Sequence, residues 1–336
     1  MLAKILFSVN PIPNTARSSL QRPLTLWLFK DGKPGHESQI EGLVTALNKV
    51  HRLSVHSLSI DDGLCLFLLK LKCLSAKFWP WKNMPPPDLL IGAGHKTHLW
   101  LLLARALFGG KTVVLMRPSL PSLLFDLLLI PSHDCEDSSG LSTRSNVWVT
   151  RGVLNKVQYS NDSLLNRGLI LVGGPSKHFH WDDESVFQQI VSLIEANPRI
   201  QWELSSSRRS TRTIVERLKA LSYPNFQFTA FSDTDSSWVQ TRMKIASRIW
   251  VTADSVSMLY EAMTSGGEVG LISLRAQRTN SRICKCVQAL VDGASLQLDP
   301  SLDLEVLQSH PYLNEAERCA LKIKDKWFSN GRTSEG

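Results

Sequence analysis

Two wound α/β domains in tandem are what this sequence predicts, on three observations. The chain has 336 residues, more than one core sustains when domains cluster near ~100–150 residues. From Pro23 onward, short apolar β-rich runs alternate with longer helical patterns, the arrangement that parallel sheets with crossover helices produce. A polar stretch at 158–167 interrupts the alternation, which then resumes. The balance of 43% hydrophobic and 20% charged residues is that of a globular chain and excludes collagen-like or disordered classes. No period of 20–50 residues recurs, which excludes a solenoid.

The elements follow in order. LTLWLF (24–29) is the first strand and DGKPG a loop; an amphipathic helix over 37–50 carries Ile40, Leu43, Val44 and Leu47 on one face. Strands follow at 53–60, 88–94, 111–116, 125–131 and 146–150, with an apolar helix at 98–108. These make a first domain over 24–157. The second series begins with GLILVGG (168–174) and continues with a helix at 185–196, a strand at 200–207, a helix at 211–221, strands at 225–231 and 248–254, a helix at 255–264 and a strand at 268–274. It makes a second domain over 165–310. The tail, 311–336, holds a further helix at 313–327 that can pack back across the first domain.

Six cysteines without a CxxC pair form neither a disulfide framework nor a zinc ribbon, which fits a reducing compartment. The net charge of +8 and pI near 9.2 favour anionic partners: nucleotide phosphates, acidic lipid or nucleic acid. No run reaches the ~18 apolar residues of a spanning helix. Residues 1–23 contain Lys4, Arg17 and Arg22 and no acid, and read as a flexible leader, with a transit peptide as the alternative. The segment 63–82 combines leucine and phenylalanine with Lys70, Lys72, Lys77 and Lys82 and ends in Trp79 and Trp81. That is the make-up of an interfacial amphipathic helix on a lipid surface, with an inter-domain or core helix as the alternative.

Ligands of open parallel sheets bind beyond the carboxyl ends of the strands, so the turns there are the candidate sites. In DGKPGHESQ (31–39), Gly32 and Gly35 permit tight backbone, His36 stands at a helix entry and Gln39 lies in the first turn. The positive end of the helix keeps such a histidine neutral, so His36 can serve as a general base or can simply cap and pack. In GGPSKHFHWD (173–182), Gly173, Gly174 and Ser176 form a short nest suited to phosphate, though the pattern is neither Walker A nor GxGxxG. His178 and His180 lack a third ligand for a metal. SSSRRS (205–210) ends a strand with Ser207, Arg208 and Arg209, a guanidinium fork for diphosphate oxygens or a solvated basic turn. In VTADSVSMLYEAMTSGG (251–267), Asp254 or Ser255 can cap a helix whose amides are left for an anion, with Ser257 beside them and Glu261 either accepting from ribose hydroxyls or standing as a plain surface residue of the helix. Asp233-Thr234-Asp235 has metal-holding DxD spacing but sits in a serine-rich loop and reads as a solvated turn. Ser255 and Ser257 lack the GxSxG elbow, so serine hydrolysis is not expected. In the first domain, GAGHKTH (92–98), RPSLPS (117–122) and Ser132-His133-Asp134 follow strands, and His95 or His133 can bind an acceptor hydroxyl or make a structural contact.

GKPGHESQIEGL, SSSRRS and VTADSVSMLYEA together resemble the mitochondrial-fission elongated-mitochondria family and its bacterial relatives, which are associated with glycosyl transfer to the lipooligosaccharide outer core. The likeness runs from Leu24 to about Ile272 and is most specific over 251–262, with support from the GGPS turn, PSHD (131–134) and NVWVTRGVLN (146–155). It implies a GT-B-like pair of Rossmann-like domains with a cleft between them, the nucleotide sugar held by the second and the acceptor by the first. It implies metal-independent transfer; together with the 63–82 segment, the expectation is a cytoplasmic protein peripheral on the inner membrane that moves a sugar from a nucleotide-diphosphate sugar to a lipid-linked saccharide, without a cofactor and without binding nucleic acid. Carried over by residue, the donor contacts are Gly173, Gly174, Ser176, Ser207, Arg208, Arg209, Ser255, Ser257 and Glu261, and His36 resembles the base of related transferases; the turn readings add Gly35, Gln39, His95 and His133 on the acceptor side. SGG (265–267) replaces the family's threonine-glycine-lysine-proline turn, and DTDSSW (233–238) an asparagine-proline-tyrosine element. Plant members act as adaptors for a fission GTPase, which makes a non-catalytic membrane-surface adaptor the alternative. A nucleotide-sugar epimerase is disfavoured, because neither GxGxxG nor a YxxxK pair in the right context is present.

Overall fold

The computed structural model describes residues 22–60, 81–135, 140–160, 163–235, 237–279, 281–293, 296–298 and 313–329. The leader up to residue 21 and the part of the amphipathic segment at 63–80 lie outside the described residues. The chain divides into two compact units, Met1–Lys156 with Glu315–Gly336, and Val157–Asn314.

The first unit is built on β1 (Leu24–Lys30), β2 (Leu53–Ser59), β3 (Leu89–Ala93), β4 (Lys111–Leu115), β5 (Leu127–Pro131) and β6 (Val147–Thr150). All pair in parallel, in the order β2-β1-β3-β4-β5-β6. Its helices are α1 (Pro34–Val50), α2 (His95–Phe108), the single turn α3 (Ser132–Cys135) and, far along the chain, α9 (Glu315–Trp327). The central strands are covered on both faces, and for that reason they read as unbroken apolar runs. Leu24, Leu26 and Leu28 of β1 point to a layer that contains Ile40, Leu43 and Leu47 of α1; Trp27 and Phe29 point to the opposite layer with Trp100 and Phe125. Helix α9 completes the first layer with Ala316, Cys319, Ala320 and Ile323, a helical i, i+3, i+4, i+7 stripe. The tail helix is thus part of the first unit. Trp81, assigned a lipid-facing position by sequence, is 7% exposed and edge-on to Trp27 and Phe29 in the core. Its indole is not available to lipid, because an aromatic cluster around β1 and α2 encloses it.

The second unit has β7 (Leu164–Leu171), β8 (Gln201–Ser205), β9 (Phe226–Thr229), β10 (Ala246–Thr252) and β11 (Glu268–Ile272). They pair in parallel in the order β11-β10-β7-β8-β9. Helices α4 (Asp183–Ala196), α5 (Arg212–Ala220), α6 (Trp238–Ile245), α7 (Val256–Ser265) and α8 (Arg282–Asp292) connect or follow them. Asp182 caps α4 by accepting from Glu184 N–H, and Thr211 caps α5 by accepting from Ile214 N–H. Ile170, Val172, Trp202, Leu204 and Trp250 of the sheet meet Val186, Ile190, Ile214 and Leu218 of α4 and α5.

Two helix starts and two added helices differ from the sequence reading for identifiable reasons. Helix α1 starts at Pro34 rather than 37, because proline at N1 has its φ already set for a helix and lacks only an amide that would be unpaired there. Helix α2 starts at His95, with Gly94 before it at φ +85°. Helices α6 and α8 are additions: Asp235 Oδ1 accepts from the Ser237 and Trp238 amides at the start of α6, and Ser281 caps α8. The second aspartate of the DTD sequence therefore holds a helix end. Hydrogen bonds from the Ser237 side chain and amide hold its carboxyl below the usual range.

Candidate functional site

Each sheet has one point at which the strand order reverses, between β1 and β3 in the first unit and between β7 and β10 in the second. Crevices at the carboxyl ends of such strands are where wound sheets bind ligands.

At the first reversal, the loop after β1 carries Asp31 and the opening turn of α1 carries His36. His36 Nδ1 lies 2.9 Å from Asp31 Oδ2, and the Asp31 side chain is fully buried. A carboxylate only accepts, so the network assigns the proton to Nδ1 and leaves the Nε2 lone pair free to take one. The loop after β3 closes the arrangement: a Cβ on Gly94 would stand 2.5 Å from both His36 Cε1 and Nδ1, so the imidazole occupies space that only glycine leaves. Asp31 Oδ1 also accepts from the Lys33 amide at 3.2 Å. Asp31 was not singled out by sequence; an acid five residues before a histidine has no recognisable pattern until helix α1 turns the two together.

The other acceptor-side residues stand on three helices. Gly35 is exposed in the first turn of α1, Gln39 is 7% exposed on its core face, His95 is exposed at the start of α2, and His133 is buried in α3. His98, one turn into α2, accepts from Ser119 Oγ at 2.9 Å and is 2% exposed. Burial, then the neighbouring His95, push its pKa down to about 4, so it stays neutral.

At the second reversal, Gly173 and Gly174 follow β7, and their amides are already engaged. Gly173 N–H donates to Thr252 Oγ1 at 2.8 Å and Gly174 N–H to Asp254 Oδ2 at 3.1 Å. A Cβ on Gly173 would lie 2.2 Å from Asp254 Oδ2, and one on Gly174 2.0 Å from the Arg209 carbonyl. The glycines thus make room for a buried carboxylate and a neighbouring loop. Ser207 Oγ and Ser210 Oγ both donate to the Gly173 carbonyl, at 2.9 and 2.6 Å, tying the loops after β7 and β8 together. Ser176 Oγ accepts from the His178 and Phe179 amides, both at 3.3 Å.

The two arginines are unequal. Arg209 Nη2 pairs with Asp254 Oδ2 at 2.7 Å, and its Nη1 donates to the Gly174 carbonyl at 3.2 Å. Arg208 is exposed, its guanidinium 5.8 Å from the centre of the Phe231 ring, with no carboxylate beside it among the described residues. The fork expected of the pair is therefore one structural arginine and one open to ligand. The Asp254 side chain is wholly buried, and its Oδ1 has no hydrogen-bond partner among the described residues. It does not cap α7; Ser255 holds the N-cap position, with no side-chain cap bond. The first amides of α7 lack a side-chain cap, Ser257 is exposed in the first turn, and Glu261 is half-buried one turn further. Among the described residues no three His, Cys, Asp or Glu side chains group as metal ligands, and no helix is long and apolar enough to cross a membrane.

The model of the family described as Mitochondrial fission ELM1 matches residues 34–327. An uncharacterized protein of Rickettsia prowazekii (strain Madrid E) is 24% identical over 348 residues, 90% of this chain and 98% of that protein. Among solved structures, a UDP-N-acetylglucosamine 2-epimerase matches with a TM-score of 0.52 at 12% identity, covering 92% of this chain and 97% of that one. The E. coli heptosyltransferase WaaC with ADP-2-deoxy-2-fluoro heptose matches with a TM-score of 0.44 at 12% identity, covering 81% of this chain and all of that one. The fold is a tandem of two Rossmann-like domains of the GT-B type.

Proposed function

We propose, for a chain that belongs to the Mitochondrial fission ELM1 family, that it is a glycosyltransferase moving a sugar from a nucleotide-diphosphate donor to a lipid-linked saccharide. The observation that carries this reading is the Asp31–His36 pair. A buried carboxylate holding an imidazole at a sheet reversal is suited to moving a proton, and a recruitment surface has no need of one.

In this mechanism His36 Nε2 takes the proton of an acceptor hydroxyl, whose oxygen attacks the anomeric carbon of the donor. The bond from that carbon to the diphosphate oxygen breaks, and the electron pair leaves with the diphosphate. Arg208 and the amide end of α7 neutralise the departing charge. Asp31 acts through His36 as a positioning residue, stabilising the imidazolium as it forms. No step requires a metal ion, and the membrane surface is where a lipid-linked acceptor would be met.

A specific observation favours a second reading, a non-catalytic adaptor recruiting a fission GTPase at a membrane. The glycine-turn amides and Arg209 are satisfied within the protein, leaving fewer donors for phosphate than an open nest would. Epimerisation also stays in the test. A UDP-N-acetylglucosamine 2-epimerase shares the fold, so the missing GxGxxG and YxxxK motifs do not exclude that chemistry.

Calorimetric titration with UDP, GDP and ADP, followed by turnover of their sugar conjugates with a lipid-linked acceptor, separates the three. The transferase reading expects nucleotide binding that weakens in Arg208→Ala and Glu261→Ala, and turnover lost in His36→Ala with nucleotide affinity retained. Binding of none of these nucleotides would support the adaptor over the transferase; interconversion of sugars without transfer would support the epimerase.

A further inference from the structure

We propose that Phe231, with Arg208 over its ring, is the surface on which the flat base of a nucleotide stacks. The proposal deepens the donor reading above and rests on it.

Phe231 is 44% exposed, at the turn that follows β9. Tyr159, also an exposed ring in the second unit, lies against Gly266 just before β11, at the opposite edge of the sheet. Phe231 is a phenyl ring left in water beside the loops that follow β7 and β8, where apolar surface without a partner costs free energy. Its position is nevertheless fixed. The Phe231 amide donates to Ser206 Oγ at 3.0 Å, at the end of β8, and its carbonyl accepts from the Thr234 amide at 3.2 Å and Thr234 Oγ1 at 2.8 Å. Asp233 N–H closes the same turn on the Ala230 carbonyl at 2.9 Å. An exposed ring whose backbone is held at both ends is preorganised to meet a ligand, since little freedom remains to be lost on binding.

The neighbourhood selects the kind of ligand. Along the carboxyl edge of the sheet the order β10-β7-β8-β9 sets out the amide end of α7, the glycine turn, the Ser207–Arg209 turn and then Phe231. Adjacent strands stand ~4.8 Å apart, so Arg208, after β8, and the amide end of α7, after β10, belong to strands one and three spacings, roughly 5 and 14 Å, from β9, which leads to the ring. A nucleoside diphosphate has this layout, with charge at one end and a planar π-system a ribose away. Arg208 belongs to both parts. Its guanidinium is near the ring and has no carboxylate partner among the described residues, whereas Arg209 is committed to Asp254. It can stack on the edge of the base while donating to a phosphate oxygen.

The test uses the full chain and separates base from phosphate by comparing UDP, GDP and ADP with inorganic pyrophosphate, titrated by calorimetry into the wild type, Phe231→Ala and Phe231→Tyr. Loss of one base stack predicts nucleoside diphosphate affinity weakened roughly ten- to a hundredfold in Phe231→Ala, with pyrophosphate binding unchanged and Phe231→Tyr close to wild type. The tyrosine variant also guards against a folding defect, because it keeps the ring. If the wild type binds the nucleotides and Phe231→Ala binds them equally well, or loses pyrophosphate to the same extent, the base surface is refuted and the donor reading stands. If the wild type binds none of the three nucleotides, both fall.

Discussion

Removing either partner of the Arg209–Asp254 pair should have unequal consequences, and the inequality follows from where each partner stands. The Asp254 side chain has no exposure, while 44% of the Arg209 side chain is in solvent. In Asp254→Asn, Arg209 can move into water, and an oxygen acceptor for the Gly174 amide is retained. The loss is then close to that of an exposed ion pair, about 1 kcal/mol or less. In Arg209→Ala, a carboxylate is left buried with the Gly174 amide as its remaining hydrogen-bond partner and Oδ1 still unsatisfied. Stripping one partner from a buried pair costs about 3–5 kcal/mol; partial access of water to the vacated space lowers this to about 2–4 kcal/mol. At about 2–4 °C per kcal/mol for a unit of this size, Arg209→Ala should melt about 4–16 °C below the wild type, and Asp254→Asn within about 4 °C of it. Thermal melting followed by fluorescence of the buried Trp202 and Trp250 reads this in the second unit. Equal losses, or a larger loss in Asp254→Asn, would refute the argument, since they would mean that Arg209 does not compensate a charge on Asp254.

Three further outcomes are expected. Gly94→Ala introduces a Cβ at φ +85° and 2.5 Å from the His36 ring; it should lower stability by about 1–3 kcal/mol in urea unfolding and displace the imidazole, reducing sugar transfer without changing calorimetric nucleotide affinity. His98 is neutral in the folded protein down to about pH 4 but titrates near 6.5 when unfolded. The unfolded chain therefore binds the extra proton first: the contribution of His98 is complete above about pH 6.5 and is lost as pH falls toward 4, and urea midpoints for His98→Asn should decline less over that window than those of the wild type. Burial pushes the Cys319 thiol up to about 12, so iodoacetamide at pH 8 should leave it unmodified by mass spectrometry in the native protein and modify it in urea.

Much of the architecture was legible because strands buried on both faces leave continuous apolar runs, as at LTLWLF and GLILV. Helix α8 was missed although Ser281 and the apolar positions Ile283, Cys284, Cys286, Val287 and Leu290 signal it; the polar residues among them hid the period. The site was less legible. Local patterning finds a glycine turn but does not say what fills it: the partners of Gly174 and Arg209 meet at Asp254, 80 residues from that glycine. For the same reason Trp81, grouped by proximity in sequence with lysines, belongs to the core cluster around Trp27 and Trp100.

Because α9 closes the layer begun by α1, the unit that starts first on the ribosome finishes last. Part of the apolar layer that Ile40, Leu43 and Leu47 share with the sheet has to wait through synthesis of the entire intervening unit before Ala316, Cys319 and Ile323 arrive to complete it. Nascent chains halted before Glu315 should accordingly engage a holding chaperone through that uncovered side, and a premature stop there would disable the early half of the polypeptide while sparing the later one.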